Sequence, residues 1–265
     1  MSDAWDPGQY EKFREERAQP FYDLVKLVIP KRAMRVVDLG CGTGELTREL
    51  HRHVKAASTI GVDSSSAMLE RTQEVASEPG LSFAQGALES WSPPGSDVDL
   101  LFSNAALHWV PDHPAFIARA FAMLSVGGQL AVQMPANQDH ASHVVAEELA
   151  REAPFVDALH GVAARQTVLP VEQYAVLLLR AGFRAQNVRT QVYVHRLPNK
   201  GGVVEWVKGA MLTDLKRRMS DALYAQFLEA YRERLLARLS DEPSSRSTQA
   251  PYLYTFKRVL FVAEK

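Results

Sequence analysis

Residues 36–44 read Val36-Val37-Asp38-Leu39-Gly40-Cys41-Gly42-Thr43-Gly44, and the fold turns on this stretch. A short apolar run that ends in glycines predicts a buried strand followed by a tight turn. From Glu45 to Val54 the residues Leu46, Leu50 and Val54 share one helical face, so the turn opens a helix. Glycines between a strand and a helix let the backbone turn sharply and approach a ligand closely. The next strand is Thr59-Ile60-Gly61-Val62-Asp63, which sets Asp63 nineteen residues after Gly44. In a doubly wound sheet a carboxylate there lies beside the first turn and can accept hydrogen bonds from ribose hydroxyls. The spacing is G-x-G-x-G, and Glu45 follows. An acid at the helix start opposes a pyrophosphate, which argues against a nicotinamide dinucleotide. A ligand carrying an amine and a sulfonium suits both Glu45 and Asp38. The alternative is a glycine turn that serves packing alone.

Outward from this turn, strand and helix alternate. Tyr10, Phe13, Phe21, Leu24, Val25 and Val28 fall near helical spacing, interrupted by Pro20. Ser64-Ser65-Ser66 offers caps to a helix from about residue 67 to 76. Strands are expected at 81–84, at 97–103 and at 129–134, the last closed by Pro135. A helix from His113 to Leu124 stops at Gly127-Gly128. Five strands alternating with helices predict a doubly wound α/β fold, a parallel sheet with helices on both faces. Beyond Pro135 the rhythm changes. Helices are expected at 140–152, 171–181, 203–215 and 221–239, with strands at 187–197 and 252–263. Asp241 to Pro251 is a polar loop, read as a gate beside a helical lid at 199–240. The expected organisation is an N-terminal helical segment over the active site (1–30), a ligand-binding core (31–136) and a helical substrate or lid region that carries the last two strands (137–265).

The chain has 265 residues, 46% of them apolar and 23% charged, which fits an ordinary globular protein. Thirty basic side chains balance thirty-one acidic ones, so no overall field draws it to nucleic acid or an anionic membrane. The single cysteine excludes an internal disulfide framework and a four-cysteine zinc site. Residues 1–17 are charged and carry no apolar h-region, so no secretory leader is expected, and no run approaches about 20 apolar residues. A cytoplasmic monomer acting on a small molecule, without metal, is expected.

Three stretches together carry a resemblance: residues 36–44, then Gly61-Val62-Asp63-Ser64-Ser65, then Asn104-Ala105-Ala106-Leu107-His108-Trp109-Val110. On them the chain resembles the class I S-adenosylmethionine-dependent methyltransferases. The resemblance implies a Rossmann-like sheet of seven strands, mostly parallel, with the last strand antiparallel. It implies that Asp38, Gly40, Cys41, Gly42 and Gly44 bind S-adenosylmethionine, with Gly40 and Gly42 flanking its methionine part, and that Asp63 holds the ribose. Ser64 and Met68 would line the adenine side, Leu88 would offer its backbone N–H to the ring, and Asn104 and Ala105 would close the pocket. Ala87 stands where many relatives carry Asp, with Glu89 two residues on.

A longer succession is similar to the trans-aconitate 2-methyltransferase family. It comprises Trp5-Asp6-Pro7-Gly8-Gln9-Tyr10 with Arg17 and Pro20, residues 104–113, Ala131-Val132-Gln133-Met134-Pro135, residues 189–198, Glu205-Trp206-Val207 and Phe256-Lys257-Arg258. Thr43 replaces a common Pro. Met211-Leu212-Thr213-Asp214 stands where the family tends to have Gly-Leu-Arg-Pro. The resemblance implies carboxyl O-methylation of a small polycarboxylate. Carboxyl pKa values lie near ~4, so the nucleophile is already ionised and no general base is required. Alignment and exclusion of water then carry catalysis, and cations and hydroxyls must hold the other carboxylates. The candidates for that clamp are Tyr10, Arg17, His108, Trp109, Gln133, Arg189, His195 and Arg258. Each has a packing or surface alternative, strongest for His195 and, outside the clamp, for Trp206. The rival functions are methylation of another carboxylate or of a natural-product hydroxyl, and a non-catalytic cofactor-binding protein.

Overall fold

The structure, a computed structural model, describes residues 14–95, 97–159, 168–209, 211–240 and 251–265, with side chains from Ala18 onward. The chain divides into two compact units. One comprises Ala18–Ala136, Thr167–Gln191 and Arg258–Lys265; the other comprises Met1–Arg17, Asn137–Gln166 and Val192–Lys257.

Seven strands form one sheet: β1 (Arg35–Leu39), β2 (Ser58–Asp63), β3 (Leu81–Gln85), β4 (Val98–Asn104), β5 (Leu124–Pro135), β6 (Ala185–Leu197) and β7 (Tyr252–Glu264), in the order β3-β2-β1-β4-β5-β7-β6. The first five are joined in parallel pairs, and β7 runs antiparallel to β5. The doubly wound sheet and the reversed last strand agree with the expectation. The order reverses between β1 and β4, so the carboxyl ends of those strands open onto a topological switch point, where such sheets bind ligands.

Strand alternation builds the core. Val37, Leu39, Leu101, Leu130 and Val132 pack on one face, while Val36, Leu100, Phe102 and Ala131 pack on the other. Successive side chains point to opposite faces, and both faces are covered, so the parallel strands read as unbroken apolar runs. The register pairs Asp38 with both Gly61 and Phe102. It also pairs Asn104 with Gln133, and Pro135 with Arg258. Reversal of β7 therefore brings Arg258 to the carboxyl end of β5.

The helices of this unit are α1 (Arg14–Val25, which begins in the other unit), α2 (Glu45–His53), α3 (Ser66–Glu70), α4 (His113–Met123) and α7 (Val171–Ala181). The helix expected over 67–76 is shorter. Ser65 caps it by accepting from Met68 N–H, and a 3-10 turn over Arg71–Glu74 follows. There the Thr72 hydroxyl donates to the Leu69 carbonyl at 2.7 Å, a side-chain bond that competes with helix continuation.

The second unit holds α5 (Ala141–Ala150), α6 (Phe155–Leu159), α8 (Gly201–Lys208), α9 (Leu212–Arg218) and α10 (Asp221–Arg238). Val145, Leu149, Trp206, Phe227, Tyr231 and Leu235 are buried in its core. The single helix expected over 203–215 is two, because the first ends at Gly209, a residue that costs helix stability. No helix among the described residues is long and apolar enough to cross a membrane.

Candidate active site

The glycine turn is fixed from two sides. Gly40 and Cys41 donate to the Val62 carbonyl at 2.7 and 3.0 Å. Asp63 accepts from Gly42 N–H through Oδ2 and from Ser65 N–H through Oδ1, both at 2.9 Å. Gly40 (φ +83°) and Gly42 (φ +56°) both lie in the left-handed region, which glycine enters without steric cost. Their surroundings differ. A Cβ on Gly40 would sit 2.1 Å from Ala106 Cβ, whereas one on Gly42 would meet nothing within 4 Å. Open space over Gly42 is what a ligand lying on the turn requires.

Asp38 lies beneath the turn and is buried. Its Oδ2 accepts from the Thr47 hydroxyl at 2.6 Å, and its Oδ1 has no hydrogen-bond partner among the described residues. Burial pushes this carboxyl from 3.8 up to about 7, the Asp63 charge adds to the rise, and the Thr47 bond opposes it. A buried acid with one unpaired oxygen beside a glycine turn is stabilised in its ionised form by a nearby cation. Asp38, the space over Gly42 and Asp63 at the next strand end therefore fit a ligand with a cationic tail and a ribose.

Across the switch point, β4 ends at Asn104. Ala105 follows with φ +54°, a left-handed conformation uncommon outside glycine, and donates its N–H to the Gln133 carbonyl at 2.8 Å. A 3-10 turn over Leu107–Trp109 then carries His108 and Trp109, whose ring centroids are 4.9 Å apart. Buried His113 holds that turn. Its Nε2–H donates to the Leu107 carbonyl at 2.9 Å, which leaves Nδ1 to accept from the Tyr174 hydroxyl at 2.6 Å. Trp109 is 68% exposed. Burial, then the positive charge of Arg258, and then His113 bring His108 down to about 3, so its imidazole is neutral at any working pH. Arg258 and Gln133 are both buried. Arg258 Nη1 donates to Gln133 Oε1 at 2.8 Å, and Gln133 Nε2 donates to Asn104 Oδ1 at 2.6 Å.

Known proteins share this architecture and its sequence. The family described as Methyltransferase domain matches residues 36–128. A trans-aconitate 2-methyltransferase of Deinococcus radiodurans is 40% identical over 270 residues, covering 99% of this chain and 98% of that protein. One from Mycobacterium marinum is 38% identical over 262 residues, covering 98% and 95%. The chain belongs to the trans-aconitate 2-methyltransferase family. Among solved structures, the YcgJ protein of Bacillus subtilis superposes with a TM-score of 0.62 at 17% identity, covering 93% of this chain and 97% of that one. Phosphoethanolamine N-methyltransferase 2 of Haemonchus contortus, solved with S-adenosyl-L-methionine, gives 0.55 at 16% identity, covering 93% and 52%. These two establish likeness of fold.

The other candidates of this family member are distributed as follows. In the sheet unit Ser64 is exposed, and its carbonyl accepts from Gln85 Nε2 at 3.2 Å. Met68 is half-buried on α3, Ala87 and Glu89 are exposed, and Leu88 is buried. The Leu88 carbonyl accepts from Arg119 Nη2 at 2.7 Å, which pins that loop. Cys41 is buried within the turn, and burial together with Asp38 and Asp63 pushes its thiol above the usual range, so it is inert. Arg189 is half-buried, with Nε lacking a partner among the described residues.

In the helical unit His195 is buried, its ring stacked on Trp206 at 4.2 Å. The same unit holds a polar network that sequence reading passed over. Ser142 Oγ lies 2.9 Å from His140 Nδ1, 3.1 Å from His143 Nδ1 and 3.3 Å from the Tyr254 hydroxyl. Its one visible sign is His140 at the start of α5, where the ring caps Ser142 N–H. Thr213 and Asp214 serve the helices themselves: the Thr213 hydroxyl donates to the Lys208 carbonyl at the end of α8, and Asp214 pairs with Arg218 within α9. Tyr10, the side chain of Arg17 and residues 241–250 of the polar loop lie outside the described residues. Among the described residues no group of His, Cys, Asp and Glu could hold a metal ion.

Proposed function

We propose that this protein is an S-adenosylmethionine-dependent carboxyl O-methyltransferase that converts trans-aconitate to a monomethyl ester. One observation carries the reading. End-to-end likeness to trans-aconitate 2-methyltransferases coincides with a site whose buried charges match the two reactants. Asp38 is a buried acid for the cofactor's cationic end, and Arg258 is a buried base for a carboxylate.

The cofactor supplies an electrophilic methyl group on a sulfonium. Asp38 would offset the charge of its ammonium, and the backbone of Gly40, Cys41, Gly42 and Gly44 would hold the methionine part. Asp63 would hold the ribose while keeping the turn in place through Gly42 N–H. Ser64, Met68, Ala87 and Leu88 would hold the adenine, and Asn104 and Ala105 would close the site. On the substrate side Arg258 pairs with a carboxylate, which is fully ionised at neutral pH and needs no base. His108 supports this choice, because an imidazole brought down to about 3 cannot retain a proton taken from a hydroxyl. Trp109 stands beside it as an apolar wall. Rate enhancement then comes from alignment of the attacking oxygen with the methyl group. The balanced charge of thirty basic and thirty-one acidic residues provides no overall field for a nucleic-acid partner, which supports a small-molecule substrate.

The test is turnover of trans-aconitate, cis-aconitate, citrate and isocitrate with labelled cofactor. Preference for trans-aconitate is expected. Transfer to hydroxyl acceptors alone, with a rate that rises through the titration of a base, would overturn the carboxylate reading.

A further inference from the structure

Gln133 is the middle of a chain that crosses the carboxyl ends of β4 and β5 and reaches Arg258 on the antiparallel β7. Arg258 donates to its oxygen at 2.8 Å, and its nitrogen donates to Asn104 Oδ1 at 2.6 Å. The direction of this chain is imposed from one end. A guanidinium has donors and no acceptor, so it compels Gln133 to turn its amide oxygen toward it. The amide nitrogen must then face Asn104, and Asn104 must answer with its oxygen. Its Nδ2 becomes the outward end of the chain, and no described residue accepts from it. Gln133 is 1% exposed and Arg258 8%, so water does not easily rescue a reversed arrangement. The backbone bond from Ala105 to the Gln133 carbonyl anchors the residue after Asn104 to the same strand.

We propose that Gln133 is a positioning residue that passes the orientation set by Arg258 to Asn104, so that Asn104 meets the substrate as an N–H donor. This polarity selects for a carboxylate. An ionised carboxylate only accepts hydrogen bonds and is matched by a donor. A hydroxyl or amine that must give up a proton is matched by an acceptor, the end of Asn104 that the chain turns inward. The inference rests on the carboxylate reading given above and assigns the residues that enforce it.

Gln133→Glu tests it. A glutamate still accepts from Arg258 but offers no N–H to Asn104, which then turns over and presents its oxygen. The KM for trans-aconitate should rise about ten- to a hundred-fold, the worth of one donor to a charged group. The rise in KM should exceed any loss of cofactor affinity, because the lost donor faces the substrate. Asn104→Ala removes the same donor without adding a charge, so the double variant should be no worse than the poorer single one. A wild-type KM in Gln133→Glu, or losses that add in the double variant, would overturn the proposal.

Should the buried substitution prevent folding, the wild-type protein supplies the answer through the Asn104 side-chain amide resonances. They should move when trans-aconitate is added with S-adenosylhomocysteine, and unmoved resonances on a binding substrate would refute the donor role. If the wild-type enzyme neither binds nor methylates any acid, the carboxylate reading fails. The orientation claim is then still decided by whether Gln133→Glu shifts the Asn104 resonances in the substrate-free protein.

Discussion

Asp38→Asn should make the ligand-free protein more stable near neutral pH and a poorer binder of S-adenosylmethionine. The Asp38 carboxyl is pushed from 3.8 up to about 7, mainly by burial. The folded protein therefore holds this proton up to about pH 7, while the unfolded chain releases it near 3.8. Between those values the native state binds more protons, so stability falls as pH rises, by at most ~1.4 kcal/mol per pH unit. The contribution is intact below 3.8, and roughly 4 kcal/mol of it is gone by pH 7. An asparagine cannot ionise, and its amide oxygen can still accept from Thr47, so this slope should vanish. Urea denaturation of both proteins between pH 5 and 8 without ligand reads the effect directly. The variant should gain on wild type as pH rises, by about 2–4 kcal/mol at the upper end. Cofactor binding supplies the complementary measurement. In wild type near pH 6 binding should release protons, seen by calorimetry in buffers of different ionisation enthalpy, because a cation facing Oδ1 favours the ionised acid. The variant should release none and bind about ten-fold more weakly or worse. Superimposable pH–stability curves would refute the reasoning that Asp38 is held partly protonated for a cation.

Other outcomes follow from the same geometry. Asp63→Ala removes the pin on Gly42 and the proposed ribose acceptor, and should weaken cofactor binding by about 1.5–3 kcal/mol; unchanged affinity by calorimetry would remove Asp63 from the site. Gly42→Ala should cost the fold only about 1–2 kcal/mol of left-handed strain yet abolish cofactor binding, since its Cβ enters the open space over the turn. Gly40→Ala should lower the melting temperature far more, because its Cβ collides with Ala106 at 2.1 Å; equal thermal losses in the two variants would contradict this contrast. His108→Gln should leave the shape of the kcat–pH profile between pH 6 and 9 unchanged, since a histidine brought down to about 3 does not titrate there. A limb lost in the variant would make His108 a base.

The glycine turn and the carboxylate beside it were legible because their signals are local. The strand, the glycines and the next carboxylate lie within residues 36–63, and the parallel register sets Asp38 opposite Gly61. The role of Asp63 in pinning Gly42 N–H was not legible, because it depends on where the turn folds back. Ala105 gives no hint of its positive φ, since alanine is ordinarily excluded from that region. The pairing of Gln133 with Arg258 spans 125 residues. It arises only when β7 enters the sheet reversed, a fact of topology and not of any local period. His113 reads as one residue on an apolar helix face, and its bond to the Leu107 carbonyl appears only once α4 packs. In the helical unit amphipathic spacing located α5 and α10 but passed over α6, whose five residues are too few to show a helical period. It missed the break at Gly209, where one apolar face continues through two helices.

The central claim is tested most directly by incubating the purified protein with methyl-labelled S-adenosylmethionine and trans-aconitate and analysing the organic acid. The account predicts a base-labile monomethyl ester formed in equal amount to S-adenosylhomocysteine. Cofactor binding without any ester from trans-aconitate or the related acids would contradict it.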